Sequence, residues 1–591
     1  MFRKNDQHLQ EPLFSSIDSL PDRQRRRLDD SWAKTYYDQV FVRINESPFA
    51  VLYVDEPSRP NIPINVLVSL DTLKSGHGWS DEEMYDHFSF DVQVRYALGY
   101  RDLSEGHFAI RTVYNFRERI TRHMEETGEN LYERAFEQIT DEQLAAFELK
   151  TERLRVDSTQ IASNIRTMSR LQLLVEILQR VHRMLSQDDQ QRYREAFEPY
   201  TQGSSGQYTY RIKVSETGEH LHRIGELMDR LVRELCATYA TDETYQILRR
   251  VFQEHFVVES ASEASSTVAG DDAVQQTLLR AKEGQELSAS SLQSPDDPEA
   301  TYRQKHGRDY KGYVTNLTET CTPENDLQLI VKVQTEPNHT DDAAMLAEAL
   351  PDLVKRTDVN QVYTDGAYNS PAVDDLIREH HIEQIQTAIR GRKPPQDKLG
   401  LADLTWQTDA DGKPQAVTCP YGQHVPVTAG RKAHRFCATF HSPDCQGCSW
   451  AEQCPAKQNR RKTRRVLRFS QHQVDLALRR QQSAQARASG QDLRAAVEAT
   501  VRSVKHPFGN GKVPVRGKSR VSMVMVGAAL MSNLRRIHRY LVDQNRPGRE
   551  QKAIESRVES TPQQLALLFS SQFQVFLRSI FGFQPACAGL F

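Results

Sequence analysis

Val359-Asn360-Gln361-Val362-Tyr363-Thr364-Asp365-Gly366 reads as a short strand that stops on an acidic residue and a glycine. Ser370-Pro371 follows, an N-cap with proline at the first helical position. Strand, acidic end, then helix is the local unit of an α/β sheet, where functional groups gather at strand ends. Outward from this unit the pattern continues. Leu327, Leu329, Val331 and Val333 alternate at the period of a half-buried strand. Tyr310 to Val314 reads as another strand. Thr340-Asp341-Asp342 predicts a helix start, with Pro351 beyond that helix. Ile382, Ile385 and Ile389 lie in a further extended segment. Far upstream, Leu154-Arg155-Val156-Asp157-Ser158-Thr159 reads as a second short strand ending in aspartate.

Between and around these strands the periodicity is helical. Val66, Leu67, Leu70 and Leu73 share a face, and Ser80 with Glu83 forms a capping-box signature. Gly99 closes a helix at C′, and about 105–122 reads as another helix. Leu171, Leu174, Ile177, Leu178 and Val181 give the same period over 165–258. Residues 259–298 are rich in Ser, Ala, Glu and Asp, the composition of a linker. About 475–506 reads as one helix.

The chain has 591 residues, enough for about four modules. Its longest apolar run, Val521 to Met531, is about half a membrane span. The start Met1-Phe2-Arg3-Lys4-Asn5-Asp6 lacks a signal-peptide core. A cytoplasmic protein is expected. The net charge of −3 hides an asymmetry. Residues 431–540 hold 23 Lys and Arg against 5 Asp and Glu, a net of +18. One sign of charge over such a length points to a polyanion partner. Lys457 to Arg468 alone holds seven cations, among them Arg460, Arg461, Lys462, Arg464 and Arg465. These suit a phosphate backbone.

Five of the eight cysteines fall between Cys419 and Cys454. Cys445-x2-Cys448 is a zinc knuckle, with Cys454 after it and either Cys419 or Cys437 as fourth ligand. Four thiolates form a closed, structural site. The polar stretch 398–455 has few apolar residues for a core of its own and is expected to need such a staple.

The acidic residues suggest chemistry. Asp157 and Asp365 each end a predicted strand. Glu498 sits within the basic region in Arg494-Ala495-Ala496-Val497-Glu498. On one helix Arg494, Glu498 and Lys505 would project together. Three carboxylates can hold two Mg²⁺ ions about 3.5–4 Å apart, which activates a nucleophile and stabilises the leaving oxygen of a phosphodiester. Arg494 and Lys505 would then neutralise flanking phosphates. Taken singly, each aspartate also fits a turn or N-cap, and Arg494 with Glu498 also fits a surface ion pair.

Arg494-x3-Glu498-x6-Lys505 resembles the R-(3)-E-(6)-K part of the Y-(2)-R-(3)-E-(6)-K signature of bacterial insertion-sequence DDE transposases. "RVDST" around Asp157 and "VYTDGAYNS" around Asp365 resemble the settings of that family's two aspartates, and "SNLRRIHRY" (532–540) its closing helix. Gln491 stands where the signature has tyrosine. The resemblance implies an α/β fold: an RNase H-like catalytic core split by a helical and a Cys-rich insertion, preceded by an all-helical N-terminal domain. It implies Asp157, Asp365 and Glu498 as catalytic ligands of Mg²⁺ or Mn²⁺. Cys419, Cys445, Cys448 and Cys454 become the structural Zn²⁺ ligands, since related transposases carry a similar pattern. The implied partners are double-stranded DNA, at transposon ends and target, and a second copy in a homodimer, with no membrane. The implied setting is the bacterial nucleoid. The implied reaction is cleavage at terminal inverted repeats and strand transfer. A transposase-derived DNA-binding protein that no longer cuts, or an RNase H-like nuclease without strand transfer, are the alternatives.

The division that follows is a polar segment (1–59), a helical domain (60–145) that is either a DNA-binding unit or a plain bundle, and the first core strand (146–164). A helical insertion (165–258), a Ser-rich linker (259–298) and the body of the core (299–392) come next. A basic Cys-rich insertion (393–475), the Glu498 helix with the end of the core (476–545) and a C-terminal tail (546–591) complete it.

Overall fold

The computed structural model describes residues 2–545 except 11–14, 55–59, 261–276, 306, 388, 390–396, 410–411, 431, 433, 489–492 and 495. Gln491 and the tail from 546 lie outside the described residues.

Helices Trp32–Gln39, Ile64–His77, Asp81–Phe90, Arg111–Thr127 and Leu131–Ala146 form the N-terminal region. The capping box forms at Ser80 and Glu83, and Gly99 takes a φ of 77°. The helix read from 105 begins at Arg111. Residues 1–59 are not a polar segment apart. Tyr36, Phe41 and Phe49 are fully buried in one cluster with Leu70, Phe88 and Phe136. The aromatic side chains Tyr36, Phe41 and Phe49 fall on inward faces among the charged residues of this stretch.

Strand β1 (Arg153–Ile161) follows. The next helices, chiefly Arg170–Met184, Thr217–Glu234 and Glu243–His255, bury Leu174, Ile177, Ile224, Met228 and Leu248 in a core of their own. A hairpin of β2 (Phe256–Ser260) and β3 (Thr277–Ala281) leaves this bundle. The expected linker is therefore folded from β3 onward. Leu292 is buried in the bundle core, and buried Asp297 accepts a hydrogen bond from Tyr313 at 2.5 Å.

The main sheet comprises β1, β4 (Thr301–Lys305), β5 (Arg308–Thr320), β6 (Ile330–Pro337), β7 (Gln361–Thr364) and β8 (Glu383–Gln386). Its order is β6-β5-β1-β7-β8, with β4 on the first part of β5. β5 is antiparallel to β1 and β6, whereas β1, β7 and β8 are parallel. β6 is not half-buried: Ile330 to Thr335 are all buried. Its polar side chains are satisfied on the covered face, Lys332 by Glu137 and Asp352, Gln334 by the Met345 carbonyl. Pro351 lies inside the helix Asp342–Arg356 rather than beyond it. Met345, Leu346, Ala349, Leu350 and Leu353 are all buried there. That burial outweighs the one backbone bond that proline removes.

The basic region opens with a second sheet: β9 (Thr405–Thr408), β10 (Pro414–Thr418), β11 (His424–Ala429), β12 (Arg435–His441), β13 (Lys457–Gln458) and β14 (Arg464–Ser470), in the order β13-β14-β12-β11-β10-β9. Contrary to expectation it has an apolar core, built on Trp406, Val417, Phe440, Leu467 and Phe469. Alternation along short strands concentrates few apolar residues on one face.

The helix expected over 475–506 is two, Gln471–Ala488 and Val497–Lys505. The closing helix, Lys518–Gln544, packs its first half on Ile64–His77. Gly76 permits that approach, since a Cβ there would collide with Met531. From Arg536 the chain belongs to a second compact unit, of which 536–545 are described and helical through Gln544. Among the described residues no helix is long and apolar enough to cross a membrane.

Asn533 explains one part of the closing helix. Its amide donates to the Ile330 carbonyl and accepts from the Ile330 N–H, both at 2.8 Å. The register of β5 with β6 shifts at this point, between Thr318 and Glu319. Asn533 thus pairs backbone groups that the bulge leaves over, and it is fully buried. Asn533→Ala strands a buried donor and acceptor, at a cost of about 2–4 kcal/mol. The variant is expected to unfold at clearly lower temperature by calorimetry. An unchanged midpoint would show that water replaces the amide.

Candidate active site and cysteine cluster

β1 and β7 run parallel, with Leu154 beside Val362 and Arg155 beside Tyr363. Two residues past that last pair, on the same faces, come Asp157 and Asp365. β1 does not end at Asp157, however. It continues to Ile161, paired only with β5, with Asp157 opposite Leu317. Asp365 follows the end of β7 and turns the chain, its Oδ1 accepting from the Ala367 N–H at 2.7 Å. Asp365 thus turns the chain with Oδ1 while its Oδ2 faces Arg494.

Arg494 lies between the two carboxylates. Its Nη2 is 3.1 Å from Asp157 Oδ1 and 3.8 Å from Asp365 Oδ2. The side chains are 17% exposed at Arg494, 13% at Asp157 and 25% at Asp365. Burial holds the Asp157 carboxyl above its usual range, Arg494 pulls it down, and Asp365 pushes it up. Burial opposes the charge on Arg494, but the two carboxylates outweigh it. Arg494 precedes the helix Val497–Lys505, so the expected shared helical face for Arg494, Glu498 and Lys505 is not formed.

Glu498 is exposed on the first turn of that helix, whose buried face is Val497, Thr500 and Val504. Thr500 hydrogen-bonds the buried Glu319 of β5 at 2.8 Å. Lys505 also departs from the expected phosphate-facing position. It donates to Thr159 Oγ1 at 3.2 Å and to the Gln160 carbonyl at 2.9 Å, and burial lowers its pKa.

Sequence reading missed the support beneath the aspartates. Arg155 donates to Glu319 at 2.7 Å and to the Leu493 carbonyl at 2.9 Å, fixing the backbone next to Arg494. Buried Tyr368 donates to Asn316 at 2.7 Å, and Asn316 to Gln334 at 3.1 Å. Arg479 holds Asn369 and Asp374, in the loop and helix after Asp365. Two signals were present: Tyr368 and Asn369 stand within the quoted "VYTDGAYNS", and Arg155 stands two residues before Asp157.

In the second sheet Cys419, Cys445, Cys448 and Cys454 line one cavity, with Trp450 and Arg465. Burial pushes the Cys445 thiol up; Arg465 opposes this, and Cys454, Cys448 and Cys419 add to it. Cys437 is elsewhere, its Sγ 3.1 Å from Thr428 Oγ1 on the face of β12 and β11. Arg460, Arg461, Lys462 and Arg464 are exposed around the turn between β13 and β14. Arg465 is half-buried and donates to the Ala451 carbonyl at 2.7 Å. Among the described residues, no three His, Cys, Asp or Glu side chains stand in ready-made metal geometry.

Residues 418–538 match the family model described as a transposase DDE domain. The chain carries a DDE transposase domain. The match spans the second sheet from Thr418 at the end of β10, the Glu498 helix and most of the closing helix. Asp157 and Asp365 lie outside the residues matched to the transposase domain, so their place beside Arg494 rests on the geometry. No curated protein and no solved structure matches the chain.

A carboxyl whose folded pKa is raised binds its proton more tightly folded than unfolded. Its contribution therefore favours folding at low pH and is lost as pH rises through the folded value. Asp157→Asn removes that titration. The unfolding midpoint of the variant minus that of the parent protein is expected to increase from about pH 4 upward. Scanning fluorimetry across pH measures this, and a difference that shrinks with pH would mean that Arg494 outweighs burial.

Proposed function

We propose that the protein is an insertion-sequence DDE transposase, and that Asp157, Asp365 and Glu498 are its catalytic carboxylates. The observation that carries this reading is the convergence of Asp157 and Asp365 on one nitrogen of Arg494, at 3.1 and 3.8 Å, in a chain whose transposase-domain match contains Glu498. The strand order β6-β5-β1-β7-β8 supports it, being the order of an RNase H-like core with β6 to β8 read as strands 3 to 5. Glu498 stands on a helix tied to β1 through Lys505 and to β5 through Thr500.

The donor set fits Mg²⁺ or Mn²⁺, since it is all carboxylate oxygen, with Asp157 on β1, Asp365 just past β7 and Glu498 on a helix bonded to β1 and β5. A divalent cation held there supplies the charge that activates a nucleophile and stabilises the leaving oxygen. This chain's own residues do the rest. Asp157 and Asp365 fix the point of reaction on adjacent strands. Burial around Asp157 excludes water on the sheet side. The exposed cations Arg460, Arg461, Lys462 and Arg464 hold the DNA backbone, whose contacts carry no base information. Asp157→Asn, Asp365→Asn and Glu498→Gln are each expected to lower cleavage of end-labelled inverted repeats by at least 10³-fold while DNA is still bound. Retained cleavage in one variant removes that residue from the site. In the same assay, joined products mark a transposase, and cut ends without joining mark a nuclease.

We also propose that Cys419, Cys445, Cys448 and Cys454 hold one structural Zn²⁺. The four thiols lining one cavity support it, and Cys437, turned toward Thr428, does not join them. Four thiolates suit zinc. Metal analysis is expected to give one zinc per chain, retained in Cys437→Ser and lost in Cys419→Ser. Retention in Cys419→Ser with loss in Cys437→Ser would reverse the choice.

A further inference from the structure

We infer that Arg494 is an exchangeable counter-ion for the aspartate pair: it holds the point between Asp157 and Asp365 before a divalent cation is bound and leaves that point when the cation arrives. This rests on the reading of Asp157 and Asp365 as cation ligands.

Three features of the guanidinium separate it from a permanent structural ion pair. First, it uses one nitrogen for two carboxylates, at 3.1 and 3.8 Å, rather than a parallel two-bond fork to either. Fork pairing is the strong arrangement for arginine and carboxylate. Arg494 forgoes it. Second, its Nε is buried with no hydrogen-bond partner. A buried donor left unmade costs free energy, so the seat is an imperfect one. Third, Arg494 lies outside the helix Val497–Lys505, while its carbonyl accepts from the Val497 N–H at 2.9 Å. The backbone is thereby anchored, and the long side chain can rotate away without breaking a helical bond.

The electrostatics favour exchange. Two half-buried carboxylates side by side need a cation nearby, and Asp365 adds to the upward push on the Asp157 carboxyl. Arg494 supplies one delocalised charge at 3.1 Å or more. A divalent ion supplies two charges at roughly 2.0–2.1 Å from each oxygen. Once it is seated, it repels the guanidinium at close range. The 17% exposure of Arg494 gives it a way out to the solvent side, where the phosphates of bound DNA would take the released charge. Arg494 would thus stabilise the empty site and compete with metal at the same point.

The test uses the full chain without DNA and Mn²⁺ alone as probe, with free Mn²⁺ followed by paramagnetic resonance. Arg494→Gln removes the competing cation. It is expected to bind Mn²⁺ roughly tenfold more tightly than the parent protein, with a lower unfolding midpoint in the absence of metal and a larger upward shift on adding Mn²⁺. Arg494→Lys keeps a cation without the planar head and is expected to fall between the two. It also serves if the glutamine variant does not fold. Affinity in the folded variants equal to or below that of the parent would overturn the inference while leaving the site itself standing. Asp157→Asn controls the underlying reading: if it retains the parent's Mn²⁺ affinity, the aspartate pair is not the metal site at all.

Discussion

The parallel pairing of β1 with β7, Arg155 beside Tyr363, is the constraint on which the candidate site depends. It brings together two aspartates separated by 208 residues of chain. It also creates an electrostatic problem, because both carboxylates sit in partly buried positions next to each other. Like charges so placed need a cation, and the chain provides Arg494 from the turn before the Glu498 helix. The site and its counter-charge are therefore parts of one solution, set by strand register.

A second, deeper ion pair aligns the pieces. Glu319 on β5 is fully buried and bonded by Arg155 of β1 and Thr500 of the Glu498 helix. Arg155 also fixes the Leu493 carbonyl, one residue before Arg494. Removing one partner of such a buried pair leaves an uncompensated charge, worth about 3–5 kcal/mol. Strand β1 thus presents Asp157 to the site while Arg155, two residues earlier, holds the segment that carries Arg494. The closing helix contributes from the other side, where Asn533 satisfies the β6 backbone at the bulge.

Much of this was legible in the sequence, for identifiable reasons. The strand before Asp365, the Ser370 cap and the Ser80 capping box depend on local chemistry, and the structure has all three. Burial and non-local pairing were not legible. The half-buried pattern of β6 fails because Lys332 and Gln334 find partners on two helices, Leu131–Ala146 and Asp342–Arg356, that alternation does not reveal. Pro351 lies inside its helix because the leucines around it are buried, which the local rule for proline ignores. Spacing alone puts Arg494 on a helix, yet the helix begins at Val497. The apolar core of the second sheet was diluted, residue by residue, among polar strand neighbours.

Everything above turns on whether Asp157 and Asp365 form a cation site that Arg494 occupies in the metal-free chain. Anomalous diffraction from crystals of the full chain soaked in Mn²⁺ tests it most directly. A manganese peak bonded to carboxylate oxygens of both aspartates is expected, with the Arg494 guanidinium withdrawn from between them. Manganese bound elsewhere, with Arg494 still within hydrogen-bonding distance of Asp157, would contradict it.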